Sequence, residues 1–195
     1  MKTLFINSCI REDDSRTYKL ALAFIEKLNE RHPKAIIDEI RLMDLDLKPY
    51  LYSNIKRRDE LISKNEFNDP MFKYANQFKD YDFIILATPF WDLSFPSILK
   101  VYIEKLCVNN LTFKYENNKE YGLCKLSKFM LIATSGGERI DNKLNYLFEI
   151  VDFLSSKNVK KCYSYVNGLD MMDDSNCKGA IKKAIKDFDK IICEI

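Results

Sequence analysis

The feature that most constrains the fold of this chain is an alternation of short apolar runs with longer amphipathic stretches. The run "YDFIILAT", residues 81–88, is almost continuously hydrophobic, which is typical of a strand covered on both faces. Four similar runs occupy residues 3–8, 35–42, 128–134 and 159–166. Between them apolar residues recur at helical spacing, as Leu20, Phe24 and Leu28 do after the first run. The pattern predicts parallel strands joined by right-handed helical crossovers.

Five such strands favour an α/β fold with a flavodoxin-like, doubly wound parallel sheet and helices on both faces. The 195 residues suffice for one domain, so we expect a single unit over residues 1–195. A net charge of +2 and the lack of a long basic block argue against a nucleic-acid partner. No apolar run approaches the length of a membrane span, so we expect no membrane partner either.

The cysteine pattern indicates reduced thiols rather than a metal site or a disulfide framework. The chain has six cysteines and one histidine, and the sequence contains no C-x-x-C pair. The first residues, "MKTLFINS", do not resemble a secretory signal. We therefore expect no bound metal and a cytoplasmic location.

The sheet topology predicts where a ligand binds. Open parallel sheets bind ligands at the carboxyl ends of their strands, near the point where the strand order reverses. In the predicted order, the loops after the first, third and fourth strands adjoin one another. These loops contain "NSCIREDDSRT", "TPFWDLSFP" and "TSGG".

The first loop has the residue types of a phosphate site. Ser8 ends the strand, and Ser15, Arg16 and Thr17 begin the next helix. Unpaired N–H groups at a helix start, together with hydroxyls and a guanidinium, can bind a phosphate dianion. The alternative is that Ser15, or Asp14 before it, is simply an N-cap. The sequence contains neither G-x-G-x-x-G nor the P-loop motif.

The third and fourth loops could hold a flat ligand. Pro89 and Pro96 bracket a segment with four apolar side chains that could wall an aromatic ring: Phe90, Trp91, Leu93 and Phe95. In the fourth loop, Gly136 and Gly137 would let backbone approach such a ring closely. The alternative is a hydrophobic loop that covers the sheet, with Gly-Gly as an ordinary turn.

Three motifs in order carry a more specific resemblance: "INSCIREDDSRT", then "ATPFWDLSFPSILKVYIEKLCVNNLTFKYENNKEYGL", then "IATSGG". With them the chain resembles the FMN-dependent NADH-azoreductase and NAD(P)H:quinone oxidoreductase family of flavodoxin-like enzymes. That family's middle motif reads roughly P-M-Y-N-F-x-I-P, followed by a helix and then by G-x-T-F-x-Y. The resemblance extends along essentially the whole chain.

The resemblance implies a set of FMN-binding residues. The phosphate and ribityl loop would comprise Ser8, Ser15, Arg16 and Thr17. The loops against the isoalloxazine ring would comprise Pro89, Phe90, Trp91, Asp92 and Leu93 on one side and Thr134, Ser135, Gly136 and Gly137 on the other. Trp91 and Tyr115 would contact the substrate, in a pocket that the family places at a homodimer interface.

The resemblance also implies the activity. NADH or NADPH would reduce the bound flavin, and a quinone or azo compound would then accept the electrons at the same site, which gives ping-pong kinetics with no obligatory catalytic acid or base. Asp92 departs from the family, which has an amide there, and a carboxylate facing the ring would lower the flavin potential. Two other classes stay open: a flavin-binding electron carrier and a flavin-free interaction protein.

Overall fold

The computed structural model describes residues 1–138 and 142–194. Within them lie seven strands: β1 (Lys2–Asn7), β2 (Ile36–Arg41), β3 (Phe83–Phe90), β4 (Phe113–Glu116), β5 (Lys119–Gly122), β6 (Lys128–Ser135) and β7 (Lys160–Val166). Five of them form a parallel sheet in the order β2-β1-β3-β6-β7. This confirms the predicted doubly wound, flavodoxin-like sheet.

Helices cover both faces of this sheet, as the sequence predicted. They are α1 (Arg16–Arg31), α2 (Tyr52–Ser63), α3 (Lys73–Phe78), α4 (Ser97–Leu106), α5 (Asn145–Leu154) and α6 (Asp174–Glu194). None of the helices in the described ranges is long and apolar enough to span a bilayer.

The central strand β3 is buried on both faces, which explains its continuous hydrophobicity. Alternate side chains point to opposite sides of a strand. Phe83 and Ile85 pack with residues of α1 and α6, whereas Ile84 and Leu86 pack with residues of α3, α4 and α5. The sheet therefore separates two hydrophobic layers and fixes the loops at its carboxyl edge.

The segment 50–79 is polar and contains "KRRDE", so its sequence predicts a helix or two with exposed faces. The structure places α2 and α3 there. Helix α2 is largely exposed, with Leu61 as its buried residue. Helix α3 differs from the expectation because it buries Tyr74, Ala75 and Phe78.

Strands β4 and β5 form a separate antiparallel hairpin. Its turn residues Asn117 and Asn118 have φ values of 52° and 58°. Two successive positive φ angles match a type I′ turn, for which asparagine is favoured. The sequence between Lys114 and Gly122 predicts a turn between extended pieces, and this hairpin confirms it.

Candidate functional site

The carboxyl ends of β1, β3 and β6 lie side by side. Asn7 is in register with Ala87, and Phe90 is in register with Ser135. The loops that follow these strands therefore meet, as predicted. Between them opens a cleft of about 140 Å³. Its lining residues are Arg11, Asp14, Ser15, Arg16, Thr17, Pro89, Phe90, Trp91, Thr134, Ser135, Gly136 and Asp170.

One end of this cleft is the start of α1. Ser15 is the N-cap, and its hydroxyl accepts a hydrogen bond from the Tyr18 amide at 3.2 Å. The N-cap interpretation is therefore correct, and the same residue also lines the cleft. The hydroxyls of Thr17 and Thr134 lie 2.7 Å apart and tie the first turn of α1 to the end of β6. This end combines hydroxyls with the positive pole of a helix.

Ser8 and Cys9 lie behind the cleft rather than on its wall. Both are fully buried. The Ser8 hydroxyl donates to the Ala87 carbonyl at 3.0 Å, which joins the first loop to β3. Burial raises the pKa of the Cys9 thiol to about 12, so this thiol stays protonated near neutral pH. Neither residue lines the two clefts described at this edge of the sheet.

Charged residues outside the predicted set, Arg11 and Asp170, also line the cleft. Arg16 forms an ion pair with Asp170, which lies in the loop after β7. The Arg11 guanidinium lies 5.8 Å from the centre of the Trp91 ring, within range of a cation–π interaction. Since β7 is the neighbour of β6, the strand-end rule could have indicated Asp170 as well.

The other end of the cleft is walled by the turn after β3. The backbone N–H of Trp91 donates to the Ser94 carbonyl at 3.0 Å, and the N–H of Ser94 donates back at 2.9 Å. Asp92 and Leu93, at the tip, have φ values of 50° and 63°. Leucine is rarely found in this region, so the turn holds a strained conformation. It leaves the Leu93 side chain 64% exposed at the rim.

A second, wider cleft of about 430 Å³ adjoins the first and shares Phe90, Trp91 and Ser135 with it. Its other lining residues are Asp92, Leu93, Gly137, Glu138 and Met171. The two clefts together run from the hydroxyl-rich helix start to the aromatic turn. All predicted cofactor residues except Ser8 line one or both of them.

The loop after β6 is fixed by backbone hydrogen bonds to the loop after β7. The N–H groups of Gly168, Leu169 and Asp170 donate to the carbonyls of Gly137, Ser135 and Gly136 at 3.0, 3.0 and 3.1 Å. A Cβ added at Gly137 would meet no protein atom within 4 Å. A Cβ at Gly136 would instead collide with the Asp170 carboxylate. The lack of a side chain at Gly136 thus leaves room for the Asp170 carboxylate, whereas Gly137 borders open space.

Tyr115 is not brought to the clefts in a single copy of the chain. It lies on β4, is 63% exposed, and packs edge-on against Phe113 with ring centres 5.6 Å apart. The predicted contact with substrate would therefore require a second copy.

Comparisons with known proteins agree with this architecture. The sequence profile of the flavodoxin-like fold family matches residues 1–191. An FMN-dependent NADH:quinone oxidoreductase of Clostridium perfringens is 32% identical over 195 residues, which cover 94% of this chain and 96% of that protein. One of Coprothermobacter proteolyticus is 36% identical over 129 residues, covering 65% of this chain and 63% of that protein.

Solved structures with the same fold are more distant in sequence. An azoreductase from Bacillus anthracis str. Sterne superposes with a TM-score of 0.86 at 21% identity, with full coverage of both chains. An FMN-dependent NADH-azoreductase from Bacillus anthracis str. Ames Ancestor, solved in complex with FMN, gives a TM-score of 0.79 at 21% identity over 98% of this chain and all of that one. At this identity the two structures establish the fold.

Proposed function

Because this chain belongs to the flavodoxin-like family of FMN-dependent NADH:quinone oxidoreductases, we propose that it binds FMN and oxidises NADH or NADPH to reduce quinones or azo compounds. The observation that carries the proposal is the pair of adjoining clefts at the carboxyl ends of β1, β3 and β6. One end is polar and carries charges of both signs, and the other is aromatic and open.

The residues present fit a phosphate at the polar end. Ser15 and Thr17 supply hydroxyls, Arg16 supplies a guanidinium, and the start of α1 supplies the backbone N–H groups of Arg16 and Thr17. We assign the phosphate group of FMN to these residues. Ser8 supports this loop from behind through its hydrogen bond to Ala87.

The residues present also fit a planar ring at the other end. Phe90 and Trp91 form an aromatic wall. Opposite, a side chain at Gly137 would enter space that the protein leaves open. We assign the isoalloxazine ring to the space between the segment Pro89 to Leu93 and the loop Thr134 to Gly137.

Bound FMN would supply the hydride and electron-transfer chemistry, and a single open site could then serve NAD(P)H and the acceptor in turn. The chain's contribution is to bind and orient. Trp91 offers an aromatic face at the rim, where a nicotinamide or a quinone can stack. The Cys9 thiol is buried and keeps its proton, so it takes no part in the proton transfers, which water supplies.

We further propose a homodimer in which Tyr115 of one copy contacts substrate at the clefts of the other. The exposure of Tyr115 on the β4–β5 hairpin supports this arrangement. The six cysteines are all free, which fits a reducing, cytoplasmic environment.

The test is an absorption spectrum of the purified protein with FMN, followed by anaerobic NADH. We expect bound, yellow flavin that bleaches on NADH addition and is reoxidised by a quinone. Bound flavin that NADH does not bleach would favour an electron carrier. A protein that stays colourless and fails to bind added FMN would refute the proposal.

A further inference from the structure

The polar end of the first cleft contains a carboxylate side chain, that of Asp170, beside Arg16. Asp170 and Arg16, separated by 154 residues in sequence, form an ion pair there, and both line the cleft. The Asp170 side chain is 67% exposed and the Arg16 side chain 38%. The Asp170 carboxylate is thus paired with the Arg16 guanidinium, which is the group that the proposed function assigns to the FMN phosphate.

The position of Asp170 is fixed by the fold. Its N–H donates to the Gly136 carbonyl at 3.1 Å, and the preceding Leu169 N–H donates to Ser135 at 3.0 Å. The carboxylate sits so close to Gly136 that any side chain at that glycine would collide with it. Backbone pairing with the loop after β6 therefore directs this carboxylate into the cleft.

A phosphate entering this space meets two cationic and two anionic residues: Arg11 and Arg16 against Asp14 and Asp170. Arg16 attracts it, but the guanidinium already carries the Asp170 carboxylate. A guanidinium has donors for two anions, yet two anions confined to a cleft of about 140 Å³ repel each other. The FMN phosphate must therefore displace the Asp170 carboxylate or bind against its repulsion.

We propose that Asp170 is a resident competitor of the cofactor phosphate and sets the affinity for FMN relative to riboflavin. It neutralises Arg16 in the cofactor-free protein and weakens binding of the phosphorylated flavin. The phosphate-free riboflavin does not compete with it. This inference rests on the proposed function.

The experiment compares dissociation constants of FMN and riboflavin, measured by flavin fluorescence quenching, for the native chain and Asp170→Asn. We expect Asp170→Asn to bind FMN about three- to tenfold more tightly, with riboflavin binding unchanged. Asp80→Asn is the matched control: Asp80 also forms an exposed ion pair, 2.9 Å from Lys125, but precedes β3 at the opposite edge of the sheet. It should alter neither constant.

Several results would overturn the inference. Weaker FMN binding in Asp170→Asn would mean that Asp170 positions Arg16 for the phosphate instead. Equal shifts in the dissociation constants of FMN and riboflavin would indicate a change in loop shape. No shift in either constant would mean that the ion pair does not affect flavin binding. Asp170→Ser, which keeps the backbone hydrogen bonds, repeats the test should the asparagine variant misfold. A native chain that binds neither flavin would refute the proposed function itself, and this inference with it.

Discussion

Replacing Gly137 by valine separates the effect of a side chain on folding from its effect on the clefts. A Cβ at this position meets no protein atom within 4 Å. The backbone φ of Gly137 also lies outside the left-handed region that only glycine adopts easily. We therefore expect Gly137→Val to fold normally and to bind FMN poorly.

The magnitudes follow from these contacts. Without a clash or a strained φ, the free energy of unfolding should change by less than about 1 kcal/mol. If the flavin ring packs against Gly137, the added methyl groups overfill that contact, which typically costs about 1–3 kcal/mol. The FMN dissociation constant should then rise roughly 5- to 150-fold.

The assay pairs fluorescence titration with FMN and urea unfolding of the cofactor-free protein. Gly179→Val is the matched control, because Gly179 also has open space around its Cβ but lies exposed on α6. We expect native FMN affinity in this control. A folded Gly137→Val variant with unchanged FMN affinity would refute the placement of the ring beside this loop.

Three further perturbations test other parts of the account. Thr134→Val leaves the buried Thr17 hydroxyl without its 2.7 Å partner, so the free energy of urea unfolding should fall by about 1–2 kcal/mol; an unchanged midpoint would contradict this. Asp92→Asn should raise the reduction potential of bound FMN, by roughly 5–20 mV because Asp92 is exposed, and a dye-equilibration titration showing a fall would refute it. Burial raises the pKa of Cys9 and Cys124 from 9.0 to about 12, so the unfolded chain releases these protons at lower pH than the folded one. The free energy of unfolding, measured in urea, should therefore decline as pH rises from about 9 to about 12. A free energy of unfolding that does not change over this pH range would contradict the effect of burial on these thiols.

The sequence predicted the centre of the sheet well because its three inner strands, β1, β3 and β6, are buried on both faces. The run 81–88 matches β3, which starts and ends two residues later, at Phe83 and Phe90. The extension arises because Pro89 and Phe90 remain in register with Thr134 and Ser135 of β6. Such pairing depends on the neighbouring strand and cannot be inferred from a local run of residues.

The phosphate end was predicted less completely. The family resemblance implied that Ser8 belongs to the phosphate loop; the structure buries this residue, and its hydroxyl donates to the Ala87 carbonyl. Asp170 and Arg11 enter the cleft through long-range contacts, with Arg16 and with Trp91. No local motif encodes contacts between loops so far apart in sequence. The role of Tyr115 likewise depends on a second copy, so it remains a prediction.

The most direct test of the central claim is a crystal structure of the protein grown with FMN. We predict an isoalloxazine ring between the Trp91 turn and the Gly136–Gly137 loop, with the FMN phosphate at Ser15, Arg16 and Thr17. Flavin density elsewhere on the protein, or clefts that stay empty at saturating FMN, would contradict it.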